Sequence, residues 1–374
     1  MTPKKILHIQ LLPLLSGVQN VMLTLLDGLD REEFEIHVAC RPHGPLVEAL
    51  KQRGISYLPL PLFVRELSGL DIPVFFRLWH LCRKHKFDIV HTHSSKPGFL
   101  GRIAARLARV PLIIHTGHGA PFYDLQPLRV QKFYMRLELF AGLFCDRMVF
   151  VNNYHRNFYL RHKLLKASKA LTIYNALNPS LQERLVQLPL KEKKRGETVI
   201  IGSVLRFTRA KNIVMTIIAA IRVCHARRDV KFIFAGDGEL YELCSKMIKT
   251  NRLQERILLP GWQDDAEACL KEFDVYLLYS DYEGQPLGII EAMYAGIPVA
   301  SSNLPVLAEL VNKSNGWLIP RGQLDRLEAE LHKIIDDPES YYEKGKAGRK
   351  KAEELCSHEK FLAGYLSLYR GEKP

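Results

Sequence analysis

The chain predicts an α/β protein built from two doubly wound parallel-sheet domains facing a cleft. At 374 residues it exceeds one compact domain and suits two, each with its own core. Short β-branched or apolar runs alternate with segments of helical periodicity through both halves. Near the middle, the charged stretch 191–197 lacks apolar periodicity, and a fresh strand begins at 199. Alternating β and α implies parallel sheets covered by helices.

In chain order, strands are expected at 6–10, 34–40, 88–93, 112–116, 148–151 and 171–174, with helices at 18–29, 74–85 and 101–107 between some of them. After the charged stretch, strands are expected at 199–204, 231–235, 257–259, 275–279, 298–301 and 317–319. The expected domains are 1–190 and 191–355, both Rossmann-like, with a C-terminal helix at 356–374 packing back on the first domain.

Composition narrows the class. The chain is 47% hydrophobic and 25% charged, as in ordinary globular proteins. The most apolar run, 137–151, is broken by Glu138, Asp146 and Arg147, and so falls short of the ~18 apolar residues of a spanning helix. The start passes at once from Lys4 and Lys5 into strand-like residues, unlike a secretory signal. Seven cysteines, odd in number and without a C-x-x-C pair, argue against a disulfide framework and structural zinc. A cytoplasmic location is expected. The net charge of +13 is uneven: residues 1–190 carry 25 Lys and Arg against 13 Asp and Glu. That asymmetry points to an anionic partner on the first half: nucleic acid, a membrane surface or a phosphorylated substrate.

Ligands of open α/β sheets sit beyond the carboxyl ends of the strands, so the loops there are searched for chemistry. After the strand at 275–279, Glu283, Gly284, Gln285, Pro286 and Leu287 lead into an apparent helix that carries Glu291. Backbone N–H groups at such a helix start suit a diphosphate, and a carboxylate in the first turns can accept from ribose hydroxyls. The same residues also suit a helix start that merely complements its dipole. After the strand at 199–204, Arg206 and Lys211 stand five positions apart, able to clamp a pyrophosphate or to form a plain solvated turn. Gly236-Asp237-Gly238 is a short glycine turn that does not match G-x-G-x-x-G. In the first half, Gly17 opens a helix, and His118-Gly119 follows a strand. His91 and His93 alternate on one strand face, but no carboxylate or cysteine stands at metal-ligand spacing from them.

The run 283–293, followed by Ala295-Gly296-Ile297-Pro298-Val299, resembles the E-x7-E signature of family-four retaining glycosyltransferases of the GT-B fold, the group 1 glycosyltransferases. Gly202, Arg206, Lys211 and Asn212 are similar to that family's phosphate-binding pattern, and His118-Gly119 to its strand-end H-G. The resemblance covers nearly the whole chain and lies nearest to enzymes that assemble bacterial surface polysaccharides. It implies a metal-independent hexosyltransferase without a cofactor, using a nucleotide sugar, UDP- or GDP-linked, as co-substrate. It places Glu283 at the donor sugar's reaction centre, Glu291 on the ribose, Arg206 and Lys211 on the phosphates, and His118 on the sugar. Gly17, Gly284, Gln285, Pro286 and Leu287 complete the implied donor contacts. Ser16 and Gln285 depart from residues common in the family at those places.

A glycan or polyprenyl-diphosphate-linked acceptor is expected on the basic half. Arg102, Arg106, Arg109, Arg161, Lys163, Lys166 and Lys169, with Phe122, Tyr123, Phe133 and Tyr134 near Arg129, Lys132 and Arg136, would rest it on the anionic inner face of the cell membrane. Two other readings are carried: a nucleotide-sugar epimerase or hydrolase of the same fold, and a basic nucleic-acid-binding protein. The second leaves the E-x7-E run unexplained and shows no recognised module, so no nucleic acid is expected as a partner.

Overall fold

The computed structural model describes residues 2–64, 68–263 and 265–372. The chain divides into two compact units, Met1–Asn175 with Glu359–Pro374, and Ala176–His358. Among the described residues the first unit holds β1 (Lys4–Ile9), β2 (Phe34–Cys40), β3 (Ser56–Pro59), β4 (Ile89–His93), β5 (Leu112–Gly117), β6 (Arg147–Phe150) and β7 (Ala170–Thr172). They form one sheet in the order β3-β2-β1-β4-β5-β6-β7, and every pairing is parallel. The second unit holds β8 (Val199–Val204), β9 (Val230–Ala235), β10 (Ile257–Leu258), β11 (Val275–Leu278), β12 (Val299–Ser302) and β13 (Gly316–Ile319). Its order is β10-β9-β8-β11-β12-β13, again parallel throughout.

Both sheets are doubly wound, with helices in the crossovers. The central strands are buried on both faces: every residue of β4, β11 and β12 is buried, as a parallel sheet sandwiched by helices requires. Each sheet reverses its winding between its first and fourth strands, β1 beside β4 and β8 beside β11. That switch point opens a crevice at the carboxyl ends of those strands.

The edge strand β3 has no counterpart in the sequence reading. It is short, half-exposed and ends in Pro59, features that sequence patterning assigns to a loop and that structure tolerates only at a sheet edge.

Segment 176–190, expected with the first domain, belongs to the second unit. Its helix Pro179–Val186 places Arg184 Nε 2.6 Å from Glu267 Oε2, and Arg349 Nη2 donates to Leu188 O at 2.8 Å. Within the charged stretch Lys193 pairs with the buried Asp274 at 2.9 Å, which anchors that charge to the second unit. The helix His358–Arg370 packs its Tyr365 and Tyr369 into the first unit, where Lys4 Nζ donates to Tyr369 O and Phe34 meets the Tyr369 ring edge-on. Among the described residues no helix is long and apolar enough to cross a membrane.

Candidate active site

In the second unit the loops after β8 and β11 lie at the switch point, so the sheet order brings Arg206, Lys211, Glu283 and Glu291 together. Lys211 ends a single 3-10 turn, Arg209–Lys211, and Asn212 then takes the left-handed conformation at φ 49°. Asn tolerates that region better than most residues, and here its amide also donates to Asp281 Oδ1 at 3.3 Å. Asp281 N in turn donates to Ala210 O at 2.9 Å, stitching the two loops together. The result is a short ion pair: Lys211 Nζ donates to Glu283 Oε1 at 2.6 Å, with the carboxylate buried and the ammonium about a quarter exposed. Arg206 stays exposed on the same loop.

The helix Leu287–Tyr294 begins after Pro286, and no side chain caps its N-terminus. Its first N–H groups are therefore available to an anion, reinforced by the helix dipole. Gly288 is the second residue of that helix. A Cβ there would overlap the Tyr276 hydroxyl, which donates to Val204 O at 3.0 Å and ties β11 to the end of β8. Glu291, one turn on, makes no side-chain hydrogen bond or ion pair with the described residues. Burial pushes its carboxyl up to about 7, and its charge together with burial raises the Tyr276 phenol. A half-buried, unpaired carboxylate next to an open helix start suits hydroxyl donors from a ligand.

Gln285, one of the implied donor contacts, is buried, and its amide donates to Cys356 Sγ at 3.4 Å. Gly284 is buried beside it. The Gly236-Asp237-Gly238 turn holds the Arg206 loop from behind: Phe207 N donates to Asp237 O at 2.9 Å and Leu240 N to Phe207 O at 3.1 Å. Gly236 and Gly238 adopt φ of +139° and +153°, and a Cβ on either would strike the backbone of Leu205 or Phe207. Close backbone approach is thus what these glycines supply.

In the first unit Gly17 is exposed and opens the helix Gly17–Asp27, whose N-terminus has no side-chain cap; the Ser16 hydroxyl instead bonds Gln19. His118 follows β5 and is half-buried, and burial drives its imidazole down to about 4. Behind it lies a histidine cluster that the sequence reading saw only as the pair His91 and His93. His8 joins them, since β1 pairs with β4 in a register that sets His8 opposite His91. One ring nitrogen from each of the three lies within 4.8 Å of the others. No local spacing signals this, because His8 is more than 80 residues away.

Three of the expected acceptor-side residues are corrected. Arg102 is fully buried and pairs with Glu138 at 3.2 Å. Phe122 is core. Lys169 donates to the carbonyls of Gly142 and Cys145 at 3.1 and 2.6 Å, closing the C-terminus of the helix Leu128–Gly142. For Arg102 helical spacing on the sequence does not distinguish the buried face from the wet one, and Phe122 and Lys169 lie outside α-helices, where no periodicity marks burial.

The two halves match two family models. Residues 188–351 match the model for glycosyl transferases group 1, and residues 15–181 that for glycosyltransferase family 4. The chain is 35% identical over 342 residues, 89% of its length and 88% of the relative's, to the Escherichia coli UDP-Gal:alpha-D-GlcNAc-diphosphoundecaprenol alpha-1,3-galactosyltransferase. An Escherichia coli O-antigen biosynthesis glycosyltransferase is 28% identical over 61% of this chain and 64% of its own. Among solved structures, HepE of Anabaena in complex with UDP and glucose superposes with a TM-score of 0.79 at 17% identity, covering 98% of this chain and 100% of that one. TarM of S. aureus superposes with a TM-score of 0.75 at 14% identity, over 98% of each chain. A double Rossmann architecture and this loop chemistry define a GT-B transferase. The chain belongs to the group 1, family 4 glycosyltransferases.

Proposed function

We propose that this glycosyltransferase is retaining and metal-independent, and that it moves a hexose from a UDP-sugar, with a GDP-sugar as the second choice, to a glycan carried on a polyprenyl diphosphate, in bacterial surface polysaccharide or glycolipid synthesis. The observation that carries the reading is the Lys211–Glu283 pair, set beside an uncapped helix N-terminus and an unpaired Glu291. A donor diphosphate competes for Lys211, joins the helix N–H groups and Arg206, and leaves Glu283 facing the anomeric carbon. Glu291 accepts from the ribose hydroxyls. Cations and a helix dipole then stabilise the departing diphosphate without a divalent ion. Gly17 contributes backbone to the donor, and His118 a hydrogen bond to its sugar. The nucleotide sugar is a co-substrate, and no cofactor is required.

Support for the donor and acceptor comes from the relative acting from UDP-Gal on a diphosphoundecaprenol-linked sugar, and from UDP bound in HepE. A membrane-facing acceptor side is supported by the helix Leu128–Gly142. Its exposed face carries Leu128, Phe133, Leu139 and Phe140 together with Arg129, Lys132 and Arg136, while its one acid, Glu138, is buried against Arg102. Apolar residues mixed with cations alone suit an anionic bilayer surface, with the protein peripheral on the cytoplasmic face.

The test offers UDP- and GDP-sugars with a polyprenyl-diphosphate-linked sugar, in the presence of a chelator. Transfer to the lipid with the anomeric configuration kept is expected, and Glu283→Ala should lower turnover about a hundredfold or more while nucleotide affinity holds. Donor breakdown without transfer, inversion of configuration, or loss of rate on chelation would each defeat the corresponding part of the proposal.

A further inference from the structure

Behind His118 a continuous hydrogen-bonded chain crosses the first unit. His93 Nδ1 lies 3.2 Å from His118 Nε2, and His93 Nε2 lies 3.0 Å from His8 Nδ1. His8 Nε2 is 3.4 Å from the Tyr369 hydroxyl, which sits 2.6 Å from His91 Nδ1. His91 Nε2 is 2.8 Å from Thr116 Oγ1, and Thr116 Oγ1 is 3.1 Å from the Tyr365 hydroxyl. Seven groups from three adjacent strands, the loop after β5 and the C-terminal helix are thus joined end to end, six of them buried.

Seven neutral groups bring seven donor protons to six links, because each imidazole carries one N–H and each hydroxyl one O–H, so one proton is left outside the chain. Burial holds His8, His91, His93 and His118 well below the usual histidine range, so all four are neutral near pH 7. If His118 donates inward, the surplus proton falls on one of the buried hydroxyls of Tyr369, Thr116 and Tyr365, and the structure offers it no further acceptor among the described residues. A buried O–H would be left unmade, which is costly. If it runs outward from Tyr365, every buried donor is used, and the final N–H appears at the half-buried end of the chain, where no described residue meets it.

We infer that the chain running from Tyr365 through Thr116, His91, Tyr369, His8 and His93 locks His118 in the Nδ1–H tautomer, so that His118 presents a hydrogen-bond donor to an acceptor oxygen of the bound sugar. The six are positioning residues and touch no substrate. The same geometry accounts for the three-histidine cluster without a metal, since all six ring nitrogens of His8, His91 and His93 already have partners in the chain. This inference rests on the reading of His118 as a sugar contact, but its test does not.

Histidine-selective ¹⁵N NMR of the full chain, with the His118 signals assigned by their loss in His118→Gln, reads the tautomer directly. A pyrrole-type shift at Nδ1 and a pyridine-type shift at Nε2 are expected at pH 7.5. The reverse pattern, or an average of the two, overturns the inference whatever the activity. His93→Phe removes the acceptor's fixed donor, so His118 should revert toward the Nε2–H form preferred by free histidine. In that variant kcat/KM should fall about tenfold, the worth of one hydrogen bond; an unchanged tautomer there overturns the relay even if His118 proves essential. Should His118→Gln retain parental transfer while the wild-type tautomer is Nδ1–H, the sugar-contact reading fails and the relay stands.

Discussion

At Glu291 burial couples a single carboxyl to pH. Its carboxyl titrates near 7 instead of near 4.5 because burial disfavours its charge. With the folded value raised, its contribution to stability is complete below about pH 4.5 and is lost as pH climbs through 7. Glu291→Gln removes that dependence, so by thermal melting the variant should match the parent near pH 4.5 and exceed it at pH 8, by on the order of 2 kcal/mol. Donor binding acts the other way. If Glu291 meets the nucleotide as proposed, ribose hydroxyls favour the ionised carboxylate, so binding should release a proton below pH 7, and nucleotide affinity should rise between pH 5.5 and 8 before levelling. Calorimetry in buffers of different ionisation enthalpy checks this; an affinity independent of pH in the parent, or equally pH-dependent in Glu291→Gln, would show that Glu291 does not meet the nucleotide.

Between elements, the decisive contacts are tight and local to one pair of neighbours. The start of the helix Leu287–Tyr294 leans on the Tyr276 hydroxyl of β11 at Gly288. Gly288→Ala should therefore destabilise by about 1–3 kcal/mol in denaturant titration. Adding Tyr276→Phe clears the overlapping oxygen and should recover a good part of that loss, a non-additivity of the kind contacting residues show; strictly additive effects would mean the overlap is relieved elsewhere. The helices Ser95–Leu107 and Leu128–Gly142 are joined by Arg102 and Glu138, both buried. Glu138→Ala leaves the guanidinium without its partner and should cost about 3–5 kcal/mol, whereas an Arg102→Met, Glu138→Leu pair should be far milder. Urea midpoints of the parent and the two variants decide it.

On the scale of the whole molecule, charge and apolar exposure coincide. The +13 net charge is concentrated in the first half of the chain, and that half exposes the helix face of Leu128, Phe133, Leu139 and Phe140. Co-sedimentation with anionic vesicles is expected at low salt and should be reversed by high salt. Changing Arg129, Lys132 and Arg136 to Glu should abolish it, because each cation near the surface is worth about 1 kcal/mol. Transfer to a water-soluble acceptor should persist in that variant. Binding that survives the triple change would place the membrane contact on another face.

Much of this was legible before any coordinates. The alternation of strand-like and helical periodicity determined two doubly wound sheets, and the E-x7-E and R-x4-K spacings marked the loops after β11 and β8, because these signals are local and repeat with the period of the backbone itself. The exact partition at 175, the edge strand β3 and the burial of Arg102 were not legible, since each depends on which face of an element meets its neighbour. Only the tertiary structure paired Lys211 with Glu283, and only the strand order β1-β4-β5 placed His8, His93 and His118 in line with two tyrosines from the far end of the chain. Those contacts join residues from 25 to more than 300 positions apart, at distances set by sheet register and helix docking, quantities that no spacing along the chain contains.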